Sequence, residues 1–214
     1  MTMHREMTLG EVAREIHENA KAHGWWDEER ETAEIYALIH SEWSEALEEY
    51  RAGRPDRWFY CLDEKKVGIC PNAACPLTPD VPCLKREPKP EGICVELIDG
   101  VIRILDYLGM TGGAEEYTDG TADYYLEILD EEGEGWTRKV QELTLPALVN
   151  RLHREVCGAD SSRLRGDEFE VYGLLEAVTI AWQWIKGRGL DPMELLIEKH
   201  EYNKTRPYKH GKVC

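Results

Sequence analysis

The sequence predicts an all-α fold, with a four-helix-bundle-like core made from two tandem helix pairs. Three observations lead there. Apolar residues recur at helical spacing along most of the chain. Glycines and an Asp-Pro pair punctuate those runs where helices stop and start. Two helix-pair segments also align with one another in order.

Leu9 to His23 reads as the first helix, with Leu9, Val12, Ile16 and Ala20 on one face and Gly24 ending it. Glu28 to Ala52 reads as a second, with a stripe of Ile35, Leu38, Ile39, Trp43, Ala46 and Leu47. Residues 54–92 break the pattern. Seven of the chain's ten prolines fall there, and the density predicts a long loop without helix or strand. Ile93 to Leu108 is a helix apolar on most sides and therefore buried, with Gly109 as its cap. A short helix is expected at Ala122 to Leu129. Trp136 to Val156 and Glu168 to Lys186 are expected as two longer ones. Asp191 caps a last helix, with Pro192 at its first position. No strand is expected.

The duplication sets Ile39 to Ala46 against Leu152 to Ala159, and Val95 to Asp99 against Leu175 to Thr179. The first copy is longer by about the length of the proline- and cysteine-rich segment, which is therefore read as an insertion. The expected organisation is one domain over residues 1–214. Repeat one is 28–110 with its insertion at 54–92, degenerate repeat two is 136–201, and a basic tail occupies 202–214.

The chain has 214 residues and a formal net charge of −16. So acidic a surface repels phosphate backbones, which excludes nucleic-acid binding as the main task. It leaves room for a nucleotide substrate if divalent cations sit between the acids and the phosphates. No apolar run approaches the ~18 residues of a membrane span. Met1 to Gly10 has no apolar signal core, so the expected compartment is the cytoplasm, with reduced cysteines.

Glu42 and Glu45 share a helical face, as do Glu96 and Asp99 three residues apart. The second pair lies on one of the most apolar helices. Buried carboxylates need a partner or a metal, and this many hard oxygen donors suit Mg²⁺ or Mn²⁺. The competing expectations are a solvated acidic face for Glu42 and Glu45 and an Asp99–Arg103 ion pair for the second set. In the second copy the four positions read Glu155, Gly158, Glu176 and Thr179, so that half cannot make the same site.

Three stretches then resemble the MazG-like, all-α NTP pyrophosphatase superfamily, to which the dimeric dUTPases and dCTPases are related. They are Trp25 to Arg30 with His40 to Glu48, then Lys89 to Arg103, then Lys199 to Lys212. The resemblance implies hydrolysis of a nucleoside triphosphate to a monophosphate and pyrophosphate, with Mg²⁺ on Glu42, Glu45, Glu96 and Asp99. It implies Glu45 as general base. Asp106, two turns after Asp99, would serve a second ion. By the same resemblance Lys199, Asn203, Arg206 and Lys209 would bind the triphosphate; family members commonly form a homodimer, whereas a tandem repeat could instead close the bundle within one chain.

Trp25 and Trp26 are candidates to stack on the base, against the alternative of core packing. Cys61, Cys70, Cys75 and Cys83 could hold a structural Zn²⁺ that orders the insertion, although no close Cys-x-x-Cys pair is present. Two alternatives remain open: a specific dUTPase or dCTPase, and a non-catalytic helical interaction module with a zinc-ordered loop.

Overall fold

A computed structural model of the chain describes residues 9–63, 66–70, 89–112, 134–167 and 169–211. Seven α-helices carry most of them: α1 (Leu9–Ala22), α2 (Thr32–Arg51), α3 (Ile93–Thr111), α4 (Glu134–Gln141), α5 (Leu145–Arg165), α6 (Phe169–Gly187) and α7 (Pro192–Lys204). The protein is mostly helical, as the apolar periodicity predicts. None of these helices is long and apolar enough to cross a membrane.

Side-chain contacts give the helix directions. Tyr36, early in α2, meets Tyr107, late in α3, with ring centroids 5.8 Å apart. Trp43, midway along α2, sits over Gly100 of α3. The two helices therefore run antiparallel. In α5 and α6, Arg151 reaches Glu176 while Ala159 backs onto Gly173, so this pair is antiparallel too. α2 also packs on α5, and α3 on α6. The apolar side chains buried between these helices belong to one cluster. Each large apolar side chain buried in it contributes about 1.5–3 kcal/mol relative to exposure. α1 and α7 flank α3. Gly109 permits the first of these contacts, since a Cβ there would lie 2.7 Å from His17 Cβ.

The expected strand-free loop is corrected. β1 (Trp58–Asp63), β2 (Lys66–Cys70) and β3 (Lys89–Glu91) form an antiparallel sheet in the order β2-β1-β3. The proline count misleads because the prolines flank these runs. Trp58 to Asp63 and Lys66 to Cys70 contain none and are rich in aromatic and apolar residues. Pro90 does lie in a strand, but an edge strand, where its missing N–H costs little. Phe59 pairs with Pro90 and Trp58 with Glu91.

Several boundaries also differ: α2 begins at Thr32 and not Glu28, and α5 runs past Val156 to Arg165. The helix expected from Trp136 to Val156 is broken into α4 and α5, because Pro146 can be accommodated only in a helix's first turn. α3 continues past Gly109 to Thr111 and ends on Gly112, whose φ of 73° is left-handed. The start of α7 is as expected: the Asp191 carboxylate accepts the N–H groups of Met193 and Glu194. The tail is more ordered than its charge suggests. Tyr208–Gly211 forms a 3₁₀ turn, the Lys209 N–H donates to His23 O at 2.9 Å, and the Tyr208 hydroxyl donates to Asp27 at 2.6 Å. The helix expected at 122–129 lies outside the described residues. So does the zinc site on Cys61, Cys70, Cys75 and Cys83, apart from the backbone of Cys61 on β1 and Cys70 on β2.

Candidate functional site

Two glycines bring the acid pairs together. Trp43 separates Glu42 from Glu45 in sequence and is fully buried. Its indole fills the space above Gly100, where a Cβ would lie 2.0 Å from Trp43 Nε1. α2 and α3 are therefore in tight contact one residue from Asp99. Gly92, at φ 118°, starts α3: a Cβ there would meet Pro55 O at 2.7 Å. The freed space lets the Asp56 carbonyl accept the Cys94 N–H at 2.9 Å. The first turn of α3, which carries Glu96, is thereby pinned to the segment that follows α2.

One carboxylate oxygen from each of Glu42, Glu96 and Asp99 lies within 4.8 Å of the other two. Glu96 is only 4% exposed. Burial, reinforced by Asp99 and opposed by Lys199, pushes its pKa up to about 9. The pKa of Glu42 is also raised, by burial and then by Asp99, with Arg103 opposing. Three acids this close and this dry are hard donors of the kind that hold Mg²⁺ or Mn²⁺.

Cations flank them. Arg103 Nε donates to Glu42 Oε1 at 3.0 Å, and Lys199 Nζ donates to Asp99 Oδ2 at 2.8 Å. The expected Asp99–Arg103 pair is thus not the one formed. Arg103 reaches across to α2, and a lysine from α7 takes Asp99. Burial pulls the pKa of Lys199 down, but Asp99 and Glu96 more than offset it and hold it above the usual lysine range.

A cavity of about 190 Å³ opens over these groups. That is below the ~300–1,000 Å³ of sites that enclose a whole drug-sized ligand. It has room for an ion and a few small polar groups. Glu42, Glu45, Glu96, Asp99 and Asp106 line it, together with Trp25, Lys199, Asn203 and Arg206. Asn203 Oδ1 is buried with no hydrogen-bond partner, an acceptor without a donor inside a polar cavity.

The remaining expected residues fall in different places. Glu45 is exposed and sits on the cavity wall, outside the three-acid cluster. Asp106 also lies outside the cluster. Its Oδ1 accepts Trp26 Nε1 at 2.9 Å and is bonded to His17 Nδ1 at 2.8 Å, so it fixes a tryptophan and a histidine. Trp25 is buried, and the guanidinium groups of Arg30 and Arg103 lie over it at 5.7 and 5.8 Å. Its faces are thereby occupied from within the protein, which favours packing over stacking. Lys209 does not line the cavity; its φ of 46° and its backbone bond to His23 make it part of the tail's attachment.

Sequence reasoning assigned no role to Lys89 or Glu91, and gave Arg103 one only as a partner for Asp99. Lys89 lines the cavity from β3 and pairs with Glu91, which is hydrogen-bonded to Glu96. The available signal was Lys-Pro-Glu-Gly running directly into the acidic helix, but its meaning depends on the unexpected strand.

No family model matches the chain, and no curated protein or solved structure matches it either.

Proposed function

We propose that the protein is a divalent-cation-dependent nucleoside triphosphate pyrophosphohydrolase. One observation carries the reading: Glu42, Glu96 and Asp99 converge within 4.8 Å in a cavity that also presents Lys89, Arg103, Lys199 and Arg206. Acids to hold a cation and cations to hold phosphate are the two halves of a triphosphate site. The resemblance in Trp25 to Glu48, Lys89 to Arg103 and Lys199 to Lys212 points to the same chemistry.

A bound Mg²⁺ would neutralise phosphate charge and acidify a water molecule. Glu45, solvent-facing beside the cluster, accepts the proton of the attacking water. Oxygen adds to phosphorus, the anhydride bond breaks, and nucleoside monophosphate and pyrophosphate result. Arg206 makes no ion pair among the described residues, which leaves its guanidinium for a phosphate.

The two helix pairs are further proposed to be repeats. His40 and His153, equivalent in the alignment, meet across α2 and α5 with Nδ1 atoms 2.6 Å apart, as residues near a pseudo-twofold axis would. In the second pair Arg151 lies 3.8 Å from Glu155 and 3.4 Å from Glu176, the equivalents of Glu42 and Glu96. A guanidinium fills the place that a metal ion would take in the first pair.

The test is pyrophosphate release from a panel of ribo- and deoxyribonucleoside triphosphates, with Mg²⁺ or EDTA. Metal-dependent release from at least one member is expected. No release from any of them overturns the reading and leaves an interaction module; release confined to dUTP or dCTP makes the enzyme a specific one.

A further inference from the structure

Lys199 is among the most buried side chains in the protein, at 2% exposure, although it is a lysine. Its Nζ has two acceptors, Asp99 Oδ2 at 2.8 Å and the Pro90 carbonyl at 3.1 Å. Pro90 belongs to β3, so the insertion's last strand holds the lysine from one side and α3 holds it from the other. Lys199, Asn203 and Arg206 are spaced four and three residues apart along and just beyond α7, and all three line the cavity. An ammonium on Asp99 is chemically opposed to a metal on Asp99. Both need the same lone pairs, and a cation arriving there must displace or share with one already in place.

Resting on the site reading above, we infer that Lys199 is a placeholder cation that occupies Asp99 until metal and nucleotide arrive together, and is then handed to a phosphate oxygen. The exchange makes the two ligands cooperative. A divalent ion alone must take Asp99 from a buried ammonium and leave that ammonium short of an acceptor. With a triphosphate present, the freed ammonium gains phosphate oxygens while keeping Pro90 O. Linkage then requires each ligand to tighten the other by the same factor. A charge-assisted hydrogen bond is strong enough to set that factor near tenfold. Arg103 acts alongside, because its bond to Glu42 can be released in the same way.

The experiment is Mn²⁺ binding to the full chain by calorimetry, with and without inorganic tripolyphosphate. In the wild type, tripolyphosphate should tighten Mn²⁺ about tenfold. Lys199→Met removes the competitor, so Mn²⁺ alone should bind about tenfold tighter than to the wild type and tripolyphosphate should add little. Equal or weaker Mn²⁺ binding to Lys199→Met overturns the inference. Should that variant not fold, the wild-type ¹⁵N-lysine ammonium resonances decide, with Lys199 assigned by its loss in Lys199→Arg. The Lys199 signal should shift when Mg²⁺ and tripolyphosphate are added together, and an unmoved signal overturns the inference. A wild type that releases pyrophosphate while failing these tests refutes the exchange alone. A wild type that neither hydrolyses nor binds metal refutes the function.

Discussion

Glu96→Gln should stabilise the metal-free protein and abolish its response to metal. The Glu96 carboxyl is raised from 4.5 to about 9 by burial and by Asp99. A raised acid contributes its stability below the unfolded pKa and loses it as pH climbs towards the folded value. Without metal, the wild type therefore loses stability from about pH 4.5 up to about 9. At 1.36 kcal/mol per pH unit, the full penalty at about pH 8 is about 4–5 kcal/mol, and relaxation and water entry reduce it to about 1–3 kcal/mol. Glutamine has the same shape, carries no charge and can still donate to Glu91. Asp99 keeps Lys199 paired, so no cation is orphaned. In EDTA at about pH 8, thermal unfolding followed by circular dichroism should give a Tm about 2–12 °C above the wild type's, from about 2–4 °C per kcal/mol for a chain of this size. At about pH 5 the difference should vanish. Millimolar Mg²⁺ should raise the wild type's Tm and leave the variant's unchanged. A variant less stable than the metal-free wild type at pH 8, or one still stabilised by Mg²⁺, would refute the argument that Glu96 is strained for the sake of an ion.

The other variants test separate links. Asp99→Asn should lower kcat by roughly 100-fold or more with helical content intact, and Glu45→Gln should lower it while leaving Mn²⁺ affinity within about threefold. Gly100→Ala forces Trp43 away from a contact at 2.0 Å; about 1–3 kcal/mol of stability and a measurable part of the Mn²⁺ affinity should go together, and loss of stability alone would break the link between helix approach and acid geometry. Arg151→Met leaves Glu155 and Glu176 facing each other, each 31% exposed; chemical denaturation should show a loss of about 1 kcal/mol that Glu176→Gln largely restores. Gly24→Ala places a Cβ 2.0 Å from the Tyr208 ring at a φ of 78°, so the tail should detach and the nucleotide KM should rise about tenfold with kcat changed less than threefold.

What could be read in the sequence was whatever depends on neighbours along one helix. The Glu96/Asp99 pair and the helix faces follow from spacings of three and four residues, the Asp191 cap follows from Asp-Pro, and all recur in the structure; of the Glu42/Glu45 pair only Glu42 joins the cluster. Contacts between elements were harder to see. Arg103 looked like the partner of Asp99 because it sits four residues away, yet the crossing at Trp43 and Gly100 swings it to Glu42. Asp106 lies two turns from Asp99 on the same side of α3, but two turns is also far enough along the axis to reach α1 and bind His17 and Trp26 instead. Lys199 read as a phosphate ligand and is, in the protein without ligands, the counter-ion of an acid. Helical spacing places a residue on a face; which group waits opposite is decided by the fold.

The same distinction resolves an apparent conflict in charge. A chain of −16 should repel a triphosphate, and at long range it does. That field comes from surface carboxylates, and beyond about 8 Å it is largely screened at physiological ionic strength. The cavity works at contact distance. Arg103 and Lys199 sit at 3.0 and 2.8 Å from the acids they serve, Lys89 pairs with Glu91, and Arg206 has no acid among the described residues. On the proposed reading, Arg103 and Lys199 would become free as a divalent ion takes over Glu42 and Asp99. These two freed cations would join Arg206, and the cavity would favour a metal-bound triphosphate over a bare one. The acids that make the surface forbidding and the acids of the proposed site are the same residue types, separated by burial: Glu28 faces water, and Glu96, 4% exposed, does not.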